Sequence, residues 1–156
     1  SSSFGLLLGN HALPPLLFET MKWIEINALY TPKIFQIAGQ SNIVEDIIKR
    51  YTANPYADVL SNVVDPYTVC EVLKDVLRTL NVTALDAPFW VKYSPKYLEN
   101  PMEIIKILKD ETQERLLLLK YIISFLSRLL QHSEYNKTTS KILAEELCPV
   151  ISSESK

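Results

Sequence analysis

Two cations stand one turn apart in the segment VCEVLKDVLRTL, Lys74 and Arg78, a spacing that puts both on one side of a helix. Such a pair could form a basic patch for an acidic protein surface or a phosphate. It could equally be a solvated helix face, with Arg78 paired to Asp75 or Glu71. Asn136, ahead of the last apolar run, is suited to ordering a turn between two helices. His11 and His132 lie far apart with no carboxylate or cysteine at a recurring spacing, so surface or capping roles suffice for both. Cys70 and Cys148 are the only cysteines and have no ligand neighbours, so they read as buried free thiols rather than a zinc site or a disulfide framework. The sequence has no GxSxG elbow, no HExxH helix and no phosphate-cradling GxxxxGK loop. A stand-alone hydrolase or nucleotide-binding enzyme therefore has no support, no metal or cofactor is expected, and any nucleotide would belong to a partner.

The elements that must position these side chains belong to one domain. A length of 156 residues suits a single core, and 47% hydrophobic against 22% charged residues is the balance of a folded chain. A net charge of -2 offers no broad attraction to phosphate polymers, which argues against nucleic acid as a ligand. The most apolar stretch, Leu116 to Leu130, is interrupted by Lys120 and Arg128 and is too short to cross a bilayer, so it reads as a core helix. No secretory signal is visible and no transmembrane segment is expected, which points to a reducing, cytoplasmic setting. Residues 1–3 read as a linker or cloning boundary, residues 4–151 as the domain and residues 152–156 as a tail, so the chain is expected to be a piece of a larger protein.

Three glycines in the whole chain and apolar residues recurring at three and four predict an all-α fold. The first helix is expected from about Pro14 to Leu29, with Leu16, Leu17, Met21, Ile24 and Ala28 as its buried stripe and Thr31-Pro32 ending it. After Ile34 to Ala38 and Gly39, Asn42 and Glu45 suggest a capping box, with Ile43, Val44, Ile47, Ile48 and Tyr51 facing inward. Asp65-Pro66 is a helix start, because the carboxylate caps free amides and proline lacks one of them. That helix should run to about Leu80 on a stripe of Val69, Val72, Leu73, Val76, Leu77 and Leu80. Asn100-Pro101 starts a short helix, Asp110 with Gln113 caps a long one to about His132, and Thr138 or Thr139 opens the last. From Asn81 to Glu99 the prolines and aromatics give no clean period and suggest turns around a short helix. Trp23 is expected in the core; Phe89, Trp90, Tyr93 and Tyr97 could be core or an exposed aromatic anchor.

Several separated stretches, read in order, resemble the RhoGAP domain, a helical module that speeds GTP hydrolysis by Rho-family GTPases. Phe4-Gly5-Leu6-Leu7-Leu8 is similar to the family's opening FGxxL. KIFQIAG, Lys33 to Gly39, resembles the GIFRxSG loop whose arginine projects toward the nucleotide, and Gln36 stands at that arginine's place. VCEVLKDVLRTL resembles the helix ending LKxxLRELP, with Lys74 and Arg78 at its cations, although Thr79 and Asn81 replace the glutamate and proline of its tail. NKTTSKILAEELCPVI, Asn136 to Ile151, resembles NKMTxxNLAxxFxPxL. Glutamine in the loop is also similar to the RhoGAP-like domain that closes inositol polyphosphate phosphatases and acts as a binding module.

The resemblance implies a single helical bundle and a Rho-family small GTPase as partner, bordered by Lys33, Gln36, Lys74, Arg78 and Asn136. An arginine at the phosphate is worth about 10³ to 10⁵ in rate, or roughly 4 to 7 kcal/mol. A neutral amide makes bonds of about half that strength, so Gln36 predicts a module that docks without catalysing, with no catalytic residue and no enzyme activity of its own. Two alternatives stand beside it. One is an activator with weak residual activity, which orders the GTPase's own glutamine and water; the other is a scaffold for a different protein.

Overall fold

The computed structural model describes residues 15–79 and 113–151, and these carry six helices. They are α1 (Pro15–Asn27), α2 (Ser41–Ala53), α3 (Pro66–Thr79), α4 (Gln113–Gln131), α5 (Ser133–Asn136) and α6 (Ser140–Ile151). No strand occurs among the described residues, and the all-α expectation holds. The Phe4 to Leu8 opening, His11, Pro14, Leu80, the 81–99 segment with its aromatics, Asn100-Pro101 and Asp110 lie outside the described residues.

α3 is the central element, packing against α1, α2 and α6, while α1 also meets α4. Its burial follows from the stripe read in the sequence: Val69, Val72, Leu73, Val76 and Leu77 are all buried, together with Cys70. Each such side chain removed from water contributes about 1.5–3 kcal/mol, so this face is what secures the bundle. All five predicted α1 residues are buried as well, and Trp23 packs half-buried against the core. In α2 only Val44 and Ile47 are fully buried, whereas Ile43, Ile48 and Tyr51 lie half-buried along its edge. Thr20, an interior polar residue of α1, turns its hydroxyl back to the Leu16 and Leu17 carbonyls at 2.8 and 2.9 Å.

The helix starts divide into those set locally and those set by tertiary contact. Asp65 caps α3: its Oδ1 accepts the Tyr67 amide at 3.0 Å and its Oδ2 accepts the Thr68 hydroxyl at 2.7 Å. Thr139 opens α6 by accepting the Ile142 amide at 3.1 Å. The capping box expected from Asn42 and Glu45 does not form. α2 starts at Ser41 behind Gln40, whose side chain makes no cap and whose backbone amide donates to Thr68 Oγ1 of α3 at 3.0 Å. No described helix is long and apolar enough to cross a membrane.

Candidate functional site

The segment between α1 and α2, residues 28–40, is where the candidate side chains meet. Thr31 closes a turn onto the Ala28 carbonyl at 3.1 Å, which ends α1 before Pro32. A second turn of the same span follows, in which the Gln36 backbone amide donates to the Lys33 carbonyl at 2.9 Å. Its two middle side chains, Ile34 and Phe35, are buried, and its two ends, Lys33 and Gln36, are exposed. Phe35 meets Phe125 of α4 edge to face with ring centroids 6.5 Å apart. The turn is strained: Lys33 has φ 56° and Phe35 φ 71°, left-handed values that cost a side-chain-bearing residue roughly 1–2 kcal/mol. Burial of Ile34 and Phe35, at about 1.5–3 kcal/mol each, offsets that strain.

Three neighbours hold the loop from behind, and the loop's own Gly39 packs against α3. Tyr67 donates its hydroxyl to the Pro32 carbonyl at 2.7 Å. Asn136 is fully buried: its Nδ2 donates to the Leu29 and Leu129 carbonyls, both at 2.9 Å, and its Oδ1 accepts the Thr138 amide at 2.9 Å. The Asn136 carbonyl in turn accepts the Lys33 amide at 2.9 Å. Lys74 reaches across from α3 to donate to the Phe35 carbonyl at 3.1 Å. Finally, Gly39 lies so close to α3 that a Cβ there would come within 2.5 Å of Thr68 Cα and 2.8 Å of the Tyr67 carbonyl oxygen. Only a residue without a side chain permits that approach.

Of the five residues expected to border a partner, the structure gathers Lys33, Gln36, Lys74 and Asn136 around this loop, in two layers. Lys33 and Gln36 form the outer layer. Lys74 lies beneath, its charge engaged by Glu146 at 3.1 Å and Glu71 at 3.5 Å, and its side chain only 13% exposed. Asn136 is deeper still and reaches the surface only through the loop it holds. Arg78 remains half-exposed one turn along α3 and pairs with Asp75 rather than joining the loop. Lys74 and Arg78 are therefore not one open patch, because a loop carbonyl and two carboxylates surround the first while the second stays at the rim.

The sequence reading missed Tyr67, Glu146, Tyr30 and Tyr135. Tyr30, within the loop, and Tyr135, on α5, are exposed and meet edge to face with centroids 4.9 Å apart, and His132 meets Tyr30 edge to face at 5.2 Å. Tyr67 and Glu146 act on residues distant in sequence, so no local period marks them. Cys70 is buried as expected, and burial pushes its thiol pKa up, which suits packing rather than reactivity. Cys148 lies in α6.

The chain matches the RhoGAP domain family over residues 14–156. It is 24% identical over 141 residues to an uncharacterized Rho GTPase-activating protein of Arabidopsis thaliana, covering 89% of this chain and 36% of that protein. It is 26% identical over 134 residues to Rho GTPase-activating protein gacJJ of Dictyostelium discoideum, covering 83% of this chain and 15% of that protein. With Rho GTPase-activating protein 24 of Mus musculus the identity is 27% over 153 residues, covering 92% of this chain and 20% of that protein. The chain thus spans well under half the length of these relatives.

These matches correct one expectation. Gln36 predicted a module without enzyme activity, whereas the relatives are named as GTPase-activating proteins. A neutral side chain at Gln36 does not by itself exclude stimulation, because a guanidinium is one contribution among several to phosphoryl transfer, and positioning of the nucleophile is another. From the helical architecture, the anchored loop and a family match that runs over most of its length, this chain belongs to the RhoGAP domain family.

Proposed function

We propose that this domain docks on the GTP-bound form of a Rho-family small GTPase and stimulates hydrolysis by ordering the GTPase's own glutamine and attacking water. Gln36 occupies the place from which an arginine acts in the family pattern, and its amide meets the phosphates or the partner's backbone. The observation that carries this reading is the division within one turn: Ile34 and Phe35 are locked inside while Gln36 stands exposed on a loop bound by Tyr67, Lys74 and Asn136. A loop held in this way loses little entropy on docking, which favours positioning.

Lys33 borders the contact from the same turn, Arg78 lies at its rim, and Tyr30 and Tyr135 offer the exposed aromatic area that interface anchors use. Lys74 and Asn136 act through the loop. A neutral amide supplies less charge stabilisation than a guanidinium, so the stimulation stays below the roughly 10³ to 10⁵ associated with an arginine.

Single-turnover GTP hydrolysis by a panel of Rho-family GTPases tests the reading. The wild-type domain should raise the rate of at least one of them by about 10- to 100-fold, and Gln36→Arg should raise it further. If the wild-type domain stimulates none of the GTPases, the reading is wrong.

A further inference from the structure

We infer that Lys33 supplies the positive charge of this loop and directs its ammonium at the GTPase-bound phosphates beside Gln36. The inference rests on the function proposed above and adds the group that does the electrostatic part of the work.

Three observations on the turn carry it. Residues 28–40 contain a single charged side chain, Lys33, and no carboxylate. The bond from the Gln36 amide to the Lys33 carbonyl, at 2.9 Å, closes the turn and brings the two residues to one outer edge, while burial of Ile34 and Phe35 leaves only these two side chains facing out. Among the described residues Lys33 makes no ion pair, in contrast to Lys74, whose charge is taken up by Glu146 and Glu71. Of the two cations at the loop, one is therefore occupied beneath it and the other is available in front.

The backbone adds an independent argument. Lys33 has φ 56°, a conformation that glycine adopts without strain and that a side chain makes costly. A lysine placed there weakens the fold relative to glycine, which is the pattern of strain retained at a functional position. A lysine ammonium lacks the planar fork of arginine, yet as a point charge on a flexible stem it can follow the phosphate oxygens as charge develops on them. Gln36 then provides the directed hydrogen bond and Lys33 the charge, a division of one guanidinium's two tasks between neighbouring side chains.

The test compares wild type with Lys33→Gly, Lys33→Gln and Lys33→Arg on a GTPase that the wild-type domain stimulates. Hydrolysis is followed in single turnover at saturating domain. Binding is measured to the GTPase loaded with a non-hydrolysable GTP analogue and to the same GTPase carrying GDP with aluminium fluoride, a mimic of the transferring phosphoryl group. Lys33→Gly and Lys33→Gln should each lower the hydrolysis rate about tenfold and reduce the preference for the aluminium fluoride state by a similar factor. Affinity for the analogue-loaded form should change by less than about threefold. Lys33→Arg should restore the rate, and Lys33→Gly should melt no lower than wild type because it relieves the left-handed backbone.

A Lys33→Gly domain that keeps the wild-type rate and preference would overturn the inference. So would an equal loss of affinity for both nucleotide states, which would make Lys33 a docking contact only. If wild type itself stimulates no GTPase, the function reading fails and takes this one with it, an outcome separate from a wild type that is active and indifferent to Lys33.

Discussion

The Lys74 ammonium donates to the Phe35 carbonyl at 3.1 Å, joining the middle of α3 to the turn that presents Gln36. Because Glu146 and Glu71 flank the same ammonium at 3.1 and 3.5 Å, its charge is spent inside the molecule. Lysine here is a strut for the loop. Its length lets it cross from the helix to the turn, and its three donors match the three oxygens that surround it.

Replacing this strut tests that description. Lys74→Met leaves the Phe35 carbonyl without its donor and sets Glu71 and Glu146 against each other, so stability should fall by about 1–3 kcal/mol in urea denaturation. Lys74→Glu should fall further, since a third carboxylate joins the cluster. Stimulation of GTP hydrolysis should drop in both variants because the loop loosens. Unchanged denaturation midpoints in both would show that the contact contributes nothing.

Asn136 should be the least tolerant position around the loop. Asn136→Ala removes a buried amide that serves the Leu29 and Leu129 carbonyls and the Thr138 amide, and the expected loss is about 2–4 kcal/mol. Asn136→Asp keeps the acceptor for Thr138 but no longer donates to the two carbonyls, so it should not recover the loss. Denaturant titration of both variants decides this, and a wild-type midpoint for Asn136→Asp would contradict it.

Gly39→Ala should be costly although it adds one methyl group. The atoms in its way are backbone atoms of Tyr67 and Thr68, as near as 2.5 Å, and backbone cannot swing aside as a side chain can. The expected destabilisation is about 1–3 kcal/mol, with displacement of the loop from α3. Hydrogen exchange at the Gln40 amide, which binds Thr68 Oγ1 at 3.0 Å, should quicken in the variant, and unaltered protection there would refute the account.

Glu19 gives the fold a pH dependence of identifiable sign. Partial desolvation, and after it the nearby Asp58 carboxylate, hold the Glu19 carboxyl above its ordinary value of 4.5. The folded chain therefore binds this proton more tightly than the unfolded chain, and the contribution is full below the ordinary value and is lost as pH rises through the raised one. Glu19→Gln should accordingly raise the melting temperature at pH 7 and change it little at pH 4. Equal effects at the two pH values would rule out ionisation as the cause.

The sequence by itself determined the longer described helices, though not the short α5, and much of the core. Apolar spacing placed the α1 and α3 stripes, and Asp65-Pro66 placed the start of α3, because these signals are local and helical geometry converts spacing directly into a face. The motifs also pointed to the family. What the sequence did not settle was the part each site residue plays. Lys74 and Arg78 look alike on a helix drawn alone, and only the packing of α3 against the loop and α6 makes one a half-buried strut and leaves the other at the rim. Likewise the Asn42 and Glu45 pattern does not mark the start of α2, which begins behind Gln40, where the backbone amide bonds Thr68 across 28 residues. Tyr67, Glu146 and the left-handed turn at Lys33 became visible only in three dimensions, since hydrogen bonds between distant segments and a strained φ depend on how the whole chain closes on itself.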